Sequence, residues 1–192
     1  MQLRDSFVEI YEAVHPRICD EIIRIIIDEK EGVAGRIVGD GTANKKHRDS
    51  FVRWCDESWL HNLIIPHVKF ANSFAGWDFD WDTTEPMQFT SYANDQYYHW
   101  HSDGLSDRSG LDKNNKIRKL SAVLFLNNTF SGGELEMSVL DSGAKKRIFK
   151  PSPKATKGSI IVFPSFITHR ITPVKQGVRY SIVLWCSGPQ FK

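Results

Sequence analysis

After Pro86 the chain becomes a succession of short β-branched and aromatic runs, and this succession limits the folds open to it. The runs are Met87–Tyr92 (MQFTSY), Lys119–Asn127 (KLSAVLFLN), Gly133–Leu140 (GELEMSVL), Lys146–Pro151 (KRIFKP), Ser159–Pro164 (SIIVFP) and Arg179–Cys186 (RYSIVLWC). Val, Ile, Phe and Tyr favour a pleated, half-buried surface, and Gly, Pro and Asn punctuate the runs. Many short strands of this kind predict a mainly β fold, a sandwich or jelly roll.

Ahead of Pro86 the pattern is mixed. Ser6–Glu12 (SFVEIYE) alternates apolar and polar residues, which predicts a short strand ended by His15–Pro16. Arg17–Lys30 carries Ile18, Ile22, Ile25 and Ile26 at helical spacing and predicts a helix with a buried isoleucine face, ending near Gly32. The glycine-rich GVAGRIVGDG that follows has no Gly-Lys-Ser/Thr and no flanking strand–helix pattern, so a loop or hairpin is expected rather than a phosphate loop. Residues 51–75 predict one or two helices on a sheet, with Trp54, Trp59, Leu63 and Val68 among the apolar positions and a break or kink at Pro66. Gly76–Asp82 (GWDFDWD) alternates aromatic and acidic residues, as a half-buried strand does. The 192 residues read as a single domain, helical support over about 1–85 and a β core over about 86–188.

A net charge of +2 gives no basis for a nucleic-acid surface, and Lys145–Lys146–Arg147 reads as a solvated turn. The start of the chain lacks the apolar run of a signal peptide, and IIRIII is too short to span a bilayer. Cys19, Cys55 and Cys186 are scattered and odd in number, which argues against a disulfide framework and for a reducing, cytoplasmic setting. Nothing in the sequence sets an oligomeric state.

The chemistry concentrates in Gln96–Gly104 (QYYHWHSDG). On a regular strand, residues two apart share a face. His99 and His101 then form one possible chelate, and His101 and Asp103 another. The first would suit a cupin, although the glutamate a cupin supplies soon afterwards is missing: the next is Glu134. The second needs a further ligand, and the single downstream histidine is His169. Two imidazoles and a carboxylate on one face of a metal make the facial triad of non-haem iron(II) oxygenases, with three positions left open.

Ten residues beyond His169 stands Arg179, in a run that puts Arg179, Ser181, Val183 and Trp185 on one face. An arginine among apolar side chains is partly desolvated and needs an anion. Either an acid of the chain or a ligand carboxylate gripped by the planar guanidinium would serve, with Ser181 donating to the same carboxylate. Trp185 would wall the same pocket or pack in the core.

These residues resemble the 2-oxoglutarate- and iron(II)-dependent oxygenases, in particular their prolyl 4-hydroxylase-like branch. The similarity lies in YANDQYYHWHSD, in RKLSAVLFLNNTFSGGELEM and in GSIIVFPSFITHRITPVKQGVRYSIVLW, which follow in order from about Phe89 to Cys186. Where the family's tyrosine motif usually has a glycine, this chain has Asp95.

The resemblance implies a double-stranded β-helix (jelly-roll) core with N-terminal helices packed on one sheet. It implies that His101, Asp103 and His169 bind Fe(II) and carry catalysis. Arg179 would bind the distal carboxylate of 2-oxoglutarate, helped by Ser181 and the Tyr92 hydroxyl. O2 is the second cosubstrate and ascorbate the accessory reductant. Related halogenases lack the carboxylate at the position of Asp103, so its presence favours hydroxylation. The expected activity is hydroxylation of a C–H bond in a prolyl or other amino-acid residue of a peptide, protein or amino-acid substrate, with release of succinate and CO2. His99 becomes a neighbour of the metal rather than a ligand, and the polar segment Gly104–Ile117 is the natural substrate lid. Two other classes compete: a cupin-type metal enzyme using His99, His101 and His169 without 2-oxoglutarate, and a jelly-roll binding domain without catalysis.

Overall fold

The structure, a computed structural model, describes residues 5–35, 45–104, 115–140, 146–152 and 156–191. In chain order the elements are β1 (Val8–Ile10), α1 (Pro16–Glu29), β2 (Val33–Ala34), β3 (Arg48–Asp49), β4 (Phe51–Cys55) and α2 (Ser58–Phe74). There follow β5 (Thr83–Thr84), β6 (Met87–Tyr92), β7 (Tyr97–His101), β8 (Ile117–Phe125), β9 (Ser131–Gly132) and β10 (Leu135–Leu140). The chain closes with β11 (Lys146–Phe149), β12 (Ile160–Pro164), β13 (Thr168–Ile171), β14 (Val174–Gln176) and β15 (Arg179–Gly188).

The strands form a jelly roll. An eight-stranded sheet runs β1-β12-β8-β15-β6-β4-β2, with β5 also on β15. Across from it lies a five-stranded sheet, β11-β10-β13-β7-β3, and β14 and β9 make a small pair. Strands from the first 85 residues extend both sheets: β1, β2, β4 and β5 join the larger one and β3 the smaller. The N-terminal segment therefore supplies sheet edges as well as helical support.

The period of two in the strands explains the layering. Leu120, Ala122 and Leu124 of β8 and Ile182, Leu184 and Cys186 of β15 face the helices in one core cluster. The opposite face turns Val123 towards the second sheet, where it joins Met137, Ile161, Phe163 and Ile171 in another. Helix α1 buries Cys19, Ile22 and Ile26. Helix α2 buries Leu60, Ile64, Val68 and Ala71, one stripe at spacings of four, four and three. Burying each of the larger aliphatic side chains is worth roughly 1.5–3 kcal/mol.

Several expectations need correction. Ile18 lies half exposed at 43%, and Cys19 takes its place on the buried stripe. Residues 51–55 are strand β4 rather than helix, Trp54 and Trp59 are both exposed, and α2 runs through Pro66 without a break. Gly76–Asp82 forms no strand. Its burial does alternate, with Trp77 and Phe79 inside, but Asn72 claims the backbone: its carbonyl accepts from Trp77 and Asp78 N–H and its amide brackets Phe79. Aromatic alternation there records packing against the helix end, not a ladder.

The glycine-rich residues 36–41, Lys145, and residues 105–114 of the expected lid lie outside the described residues. Asp95 holds φ at +62°, the left-handed region that a glycine would occupy most easily and that Asp tolerates through its short polar side chain. Its N–H bonds the Val174 carbonyl, so the turn after β6 forms without the glycine. No helix among the described residues is long and apolar enough to cross a membrane.

Candidate active site

Between the two sheets lies a cavity of about 380 Å³, of the size that takes a small-molecule ligand. Arg179, Ser181, Val183 and Trp185 all line it, as the alternation along β15 predicts. Tyr92, His101, Asp103 and His169 line it as well, so the residues that the resemblance assigns to iron and 2-oxoglutarate converge on one chamber.

His101, at the end of β7, and His169, in β13, are register partners on adjacent antiparallel strands. Asp103 follows two residues after His101, where its N–H bonds the Ser165 carbonyl at 2.9 Å. One donor atom from each of the three side chains lies within 4.8 Å of the others. His101 Nε2 is 3.7 Å from Asp103 Oδ1, and His169 Nε2 is 3.6 Å from Oδ2.

The tautomers are set by carbonyl oxygens. Nδ1 of His101 lies 2.8 Å from the His99 carbonyl, and Nδ1 of His169 lies 2.9 Å from that of Ile167. A carbonyl accepts only, so each Nδ1 carries the proton and each Nε2 lone pair points to the common centre. Burial, reinforced by His169 next door, pushes the His101 imidazole well below its ordinary range and keeps it neutral. Burial alone would raise the Asp103 carboxyl, but His169, His101 and Arg118 more than offset it and hold the group ionised. Two imidazoles and a carboxylate are the donors that a divalent transition metal such as iron takes, and they leave one side of it free.

His99 does not point with His101. Tyr98 pairs with Ile171 while His101 pairs with His169, so β7 carries one residue more than β13 over this interval: a β-bulge. The extra residue inverts the alternation. Tyr98 turns inward and stacks on His101 with ring centroids 3.5 Å apart, and His99 turns outward to stack on His47. The expectation that His99 and His101 share a face fails for this reason, and with it the His99-based cupin site.

A second bulge repeats the device. Cys186 pairs with Leu120 but Ser187 with Arg118, which leaves Lys119 extra on β8. Arg118 thereby reaches the cavity. Its guanidinium lies 3.9 Å over the Trp185 ring and makes two bonds of 2.7 and 2.6 Å to the Glu85 carboxylate, while Nη1 is buried without a partner. Sequence reading missed Arg118 and Tyr98 because both stand on the wrong parity for a regular strand. It also missed Arg48, Gln88 and Thr90. Arg48 bonds Gln88 Oε1 at 2.6 Å across the gap between the sheets, and Thr90 donates to the same oxygen at 3.2 Å. Alternation along MQFTSY already pairs Gln88 and Thr90 with Tyr92 and was the signal available.

In the same cavity Arg179 is 2% exposed. Its Nη1 donates to Ser181 Oγ at 2.8 Å, and its Nη2 is buried with no acceptor. No acid of the described residues pairs with it. Burial lowers it to about 10, so it stays cationic at neutral pH. The Tyr92 ring, directly opposite in register, lies 5.7 Å from the guanidinium carbon. A buried cation with an orphaned N–H in the lining of a chamber fits a ligand carboxylate, such as the distal one of 2-oxoglutarate.

Comparison with known proteins agrees with this geometry. A family model described as the 2OG-Fe(II) oxygenase superfamily matches residues 87–187. The PKHD-type hydroxylase YbiX of Escherichia coli O17:K52:H18 (strain UMN026 / ExPEC) is 28% identical over 163 residues, covering 83% of this chain and 68% of the relative. Among solved structures, a prolyl hydroxylase from Trichoplax adhaerens, in complex with a hypoxia inducible factor oxygen degradation domain peptide fragment, superposes with a TM-score of 0.75 at 17% identity, covering 94% and 83% of the two chains. The viral collagen prolyl hydroxylase of Paramecium Bursaria Chlorella virus-1, in its 2OG complex, superposes with a TM-score of 0.67 at 20% identity, covering 96% and 97%.

Proposed function

Because the chain belongs to the 2OG-Fe(II) oxygenase superfamily, we propose that it is a prolyl hydroxylase-like dioxygenase and hydroxylates a C–H bond of a prolyl or other amino-acid residue in a peptide. His101, Asp103 and His169 hold the iron. Arg179, Ser181 and Tyr92 grip the distal carboxylate of 2-oxoglutarate. The observation that carries this reading is the buried Arg179 guanidinium, which has no acid partner among the described residues and leaves Nη2 without an acceptor, in the same chamber as the His–Asp–His cluster. Fe(II) with 2-oxoglutarate and O2 supplies the oxidation: the 2-oxo acid becomes succinate and CO2, and the remaining oxygen atom goes to the substrate.

The chain's own part is to bind, orient and exclude. Each imidazole offers Nε2 because its Nδ1–H is tied to a carbonyl. Arg179 already gives one N–H to Ser181, whose hydroxyl proton stays free for the same carboxylate. Val33, Val52, Trp54, Val183 and Trp185 give the chamber an apolar lining. Trp54 and Trp185, with centroids 6.2 Å apart, form an aromatic wall of the kind that receives extended, proline-rich peptides. The test is succinate release from 2-oxoglutarate over a panel of prolyl peptides, other peptides and free amino acids, with mass detection of one added oxygen. Absence of succinate across the panel with Fe(II), 2-oxoglutarate and O2 present would defeat the reading.

A further inference from the structure

The motif Lys119–Leu120–Ser121 is a landmark of the resemblance to which the reading above gives no role. Ser121, wholly buried on β8, donates from Oγ to Asp103 Oδ2 at 2.8 Å. Its Oγ also lies 2.9 Å from Oγ of Ser165, another wholly buried hydroxyl. The direction of this chain follows from proton counting. An ionised carboxylate only accepts, and a serine has one hydroxyl proton. Ser121 gives that proton to Asp103, so Ser165 must give its own to Ser121.

Ser165 holds the Asp103 backbone too. Its carbonyl accepts from the N–H groups of Asp103 at 2.9 Å and Gly104 at 2.8 Å, and its own N–H bonds the Lys119 carbonyl at 2.9 Å. The side chain and main chain of one acid are thus fixed by the same short segment.

The structure assigns to Ser121, backed by Ser165, the role of positioning residue for the Asp103 carboxylate, holding Oδ2 so that the acid engages the metal through one oxygen. This inference rests on the iron reading above. A metal held by a facial triad needs its other positions open for ligands, and a carboxylate free to rotate could close one of them by binding through both oxygens. Partners of ligating groups of this kind are commonly worth about 10–100-fold in metal affinity.

The experiment is anaerobic Fe(II) titration of the full chain, followed by addition of 2-oxoglutarate and recording of the visible chelate band. Ser121→Ala should weaken Fe(II) binding by about 10-fold or more and move the band. Ser121→Thr, which keeps the hydroxyl, should restore both. Ser165→Ala, which leaves the Ser121–Asp103 bond in place, should give a smaller loss in the same direction, and it remains informative where Ser121→Ala folds poorly. Wild-type affinity and an unmoved band in both alanine variants would overturn the assignment while leaving the iron centre intact. A wild-type protein that takes up no Fe(II) would overturn both.

Discussion

Arg179 and Ser181 stand side by side on the cavity face of β15, the guanidinium giving one N–H to the hydroxyl at 2.8 Å and keeping another without an acceptor. The proposed function makes the pair a receptor for a carboxylate that the described part of the chain does not itself provide. An unpaired buried cation is destabilising until an anion arrives.

Arg179→Met should therefore separate ligand binding from folding. A charge-assisted bond of about 1.5–3 kcal/mol is lost, so the 2-oxoglutarate requirement should rise about 10- to 100-fold. Fe(II) affinity should hold. The ligand-free variant should melt no lower than wild type, because the burial penalty goes with the charge. Thermal melts with and without 2-oxoglutarate check this: a variant still stabilised by 2-oxoglutarate as wild type is would remove Arg179 from the carboxylate site.

The inward turn of His101 and the outward turn of His99 predict a sharp contrast in metal binding. His101→Ala and His169→Ala should abolish Fe(II) uptake, measured by anaerobic titration, while His99→Ala should bind as wild type does. Loss of metal in His99→Ala would mean that the bulge in β7 is absent in solution.

Alkaline stability should fall early. Burial pushes Cys19 and Cys55 from 9.0 up to about 11, Cys186 to about 12, and Tyr98 from 10.0 to about 12. For an acid raised on folding, the unfolded chain loses its proton first, so the folded state binds more protons in this window and stability declines as pH rises from about 9 towards 12. Arg179, lowered from 12.5 to about 10, and Lys119, lowered by burial, act in the opposite sense, while Lys30 and Tyr11, both raised by hydrogen-bonded glutamates, act with the thiols. Urea melts at pH 8, 9.5 and 10.5 (a span of about the window in which the buried thiols titrate) should show midpoints descending in that order. At pH 8 a thiol reagent should find none of the three cysteines in the native protein and all of them in denaturant. Rapid labelling of the native protein would contradict the burial on which both expectations stand.

Gly104→Ala should disturb the metal site without touching a ligand. A Cβ at this position meets the Arg118 carbonyl oxygen at 2.8 Å and Ser165 Cβ at 3.0 Å. Relieving the contact separates the two segments that hold Asp103, so stability should drop by about 1–3 kcal/mol and Fe(II) affinity should fall with it. Unchanged affinity in a destabilised variant would show that the Ser165 segment yields without moving Asp103.

Where the strands are regular, the sequence was a sufficient guide. Alternation along β15 put Arg179, Ser181, Val183 and Trp185 on one face, and all four line the chamber. The runs that read as strands after Pro86 are strands, with ends shifted by a residue or two. Alternation fails at a bulge, because one unpaired residue reverses every assignment beyond it. Tyr98, His99 and Arg118 were misread or missed for that single reason. The N-terminal errors have another cause. Trp54 and Trp59 are apolar yet exposed, and no hydrophobic pattern records which large side chain a helix or edge strand leaves outside. The Ser165–Ser121–Asp103 chain joins three segments distant in sequence, so no local spacing could announce it.

The outward turn of β7 has a practical side. It leaves His99 on the exterior only two residues from His101, on the same rigid strand but across the sheet from the chamber. A probe attached through His99→Cys would sit beside the metal centre without entering it. Since the three native thiols are buried, a maleimide would find that one cysteine alone. A spin label or fluorophore there turns the bulge into a reporting post, from which metal uptake and substrate arrival can be watched without altering any group that binds either.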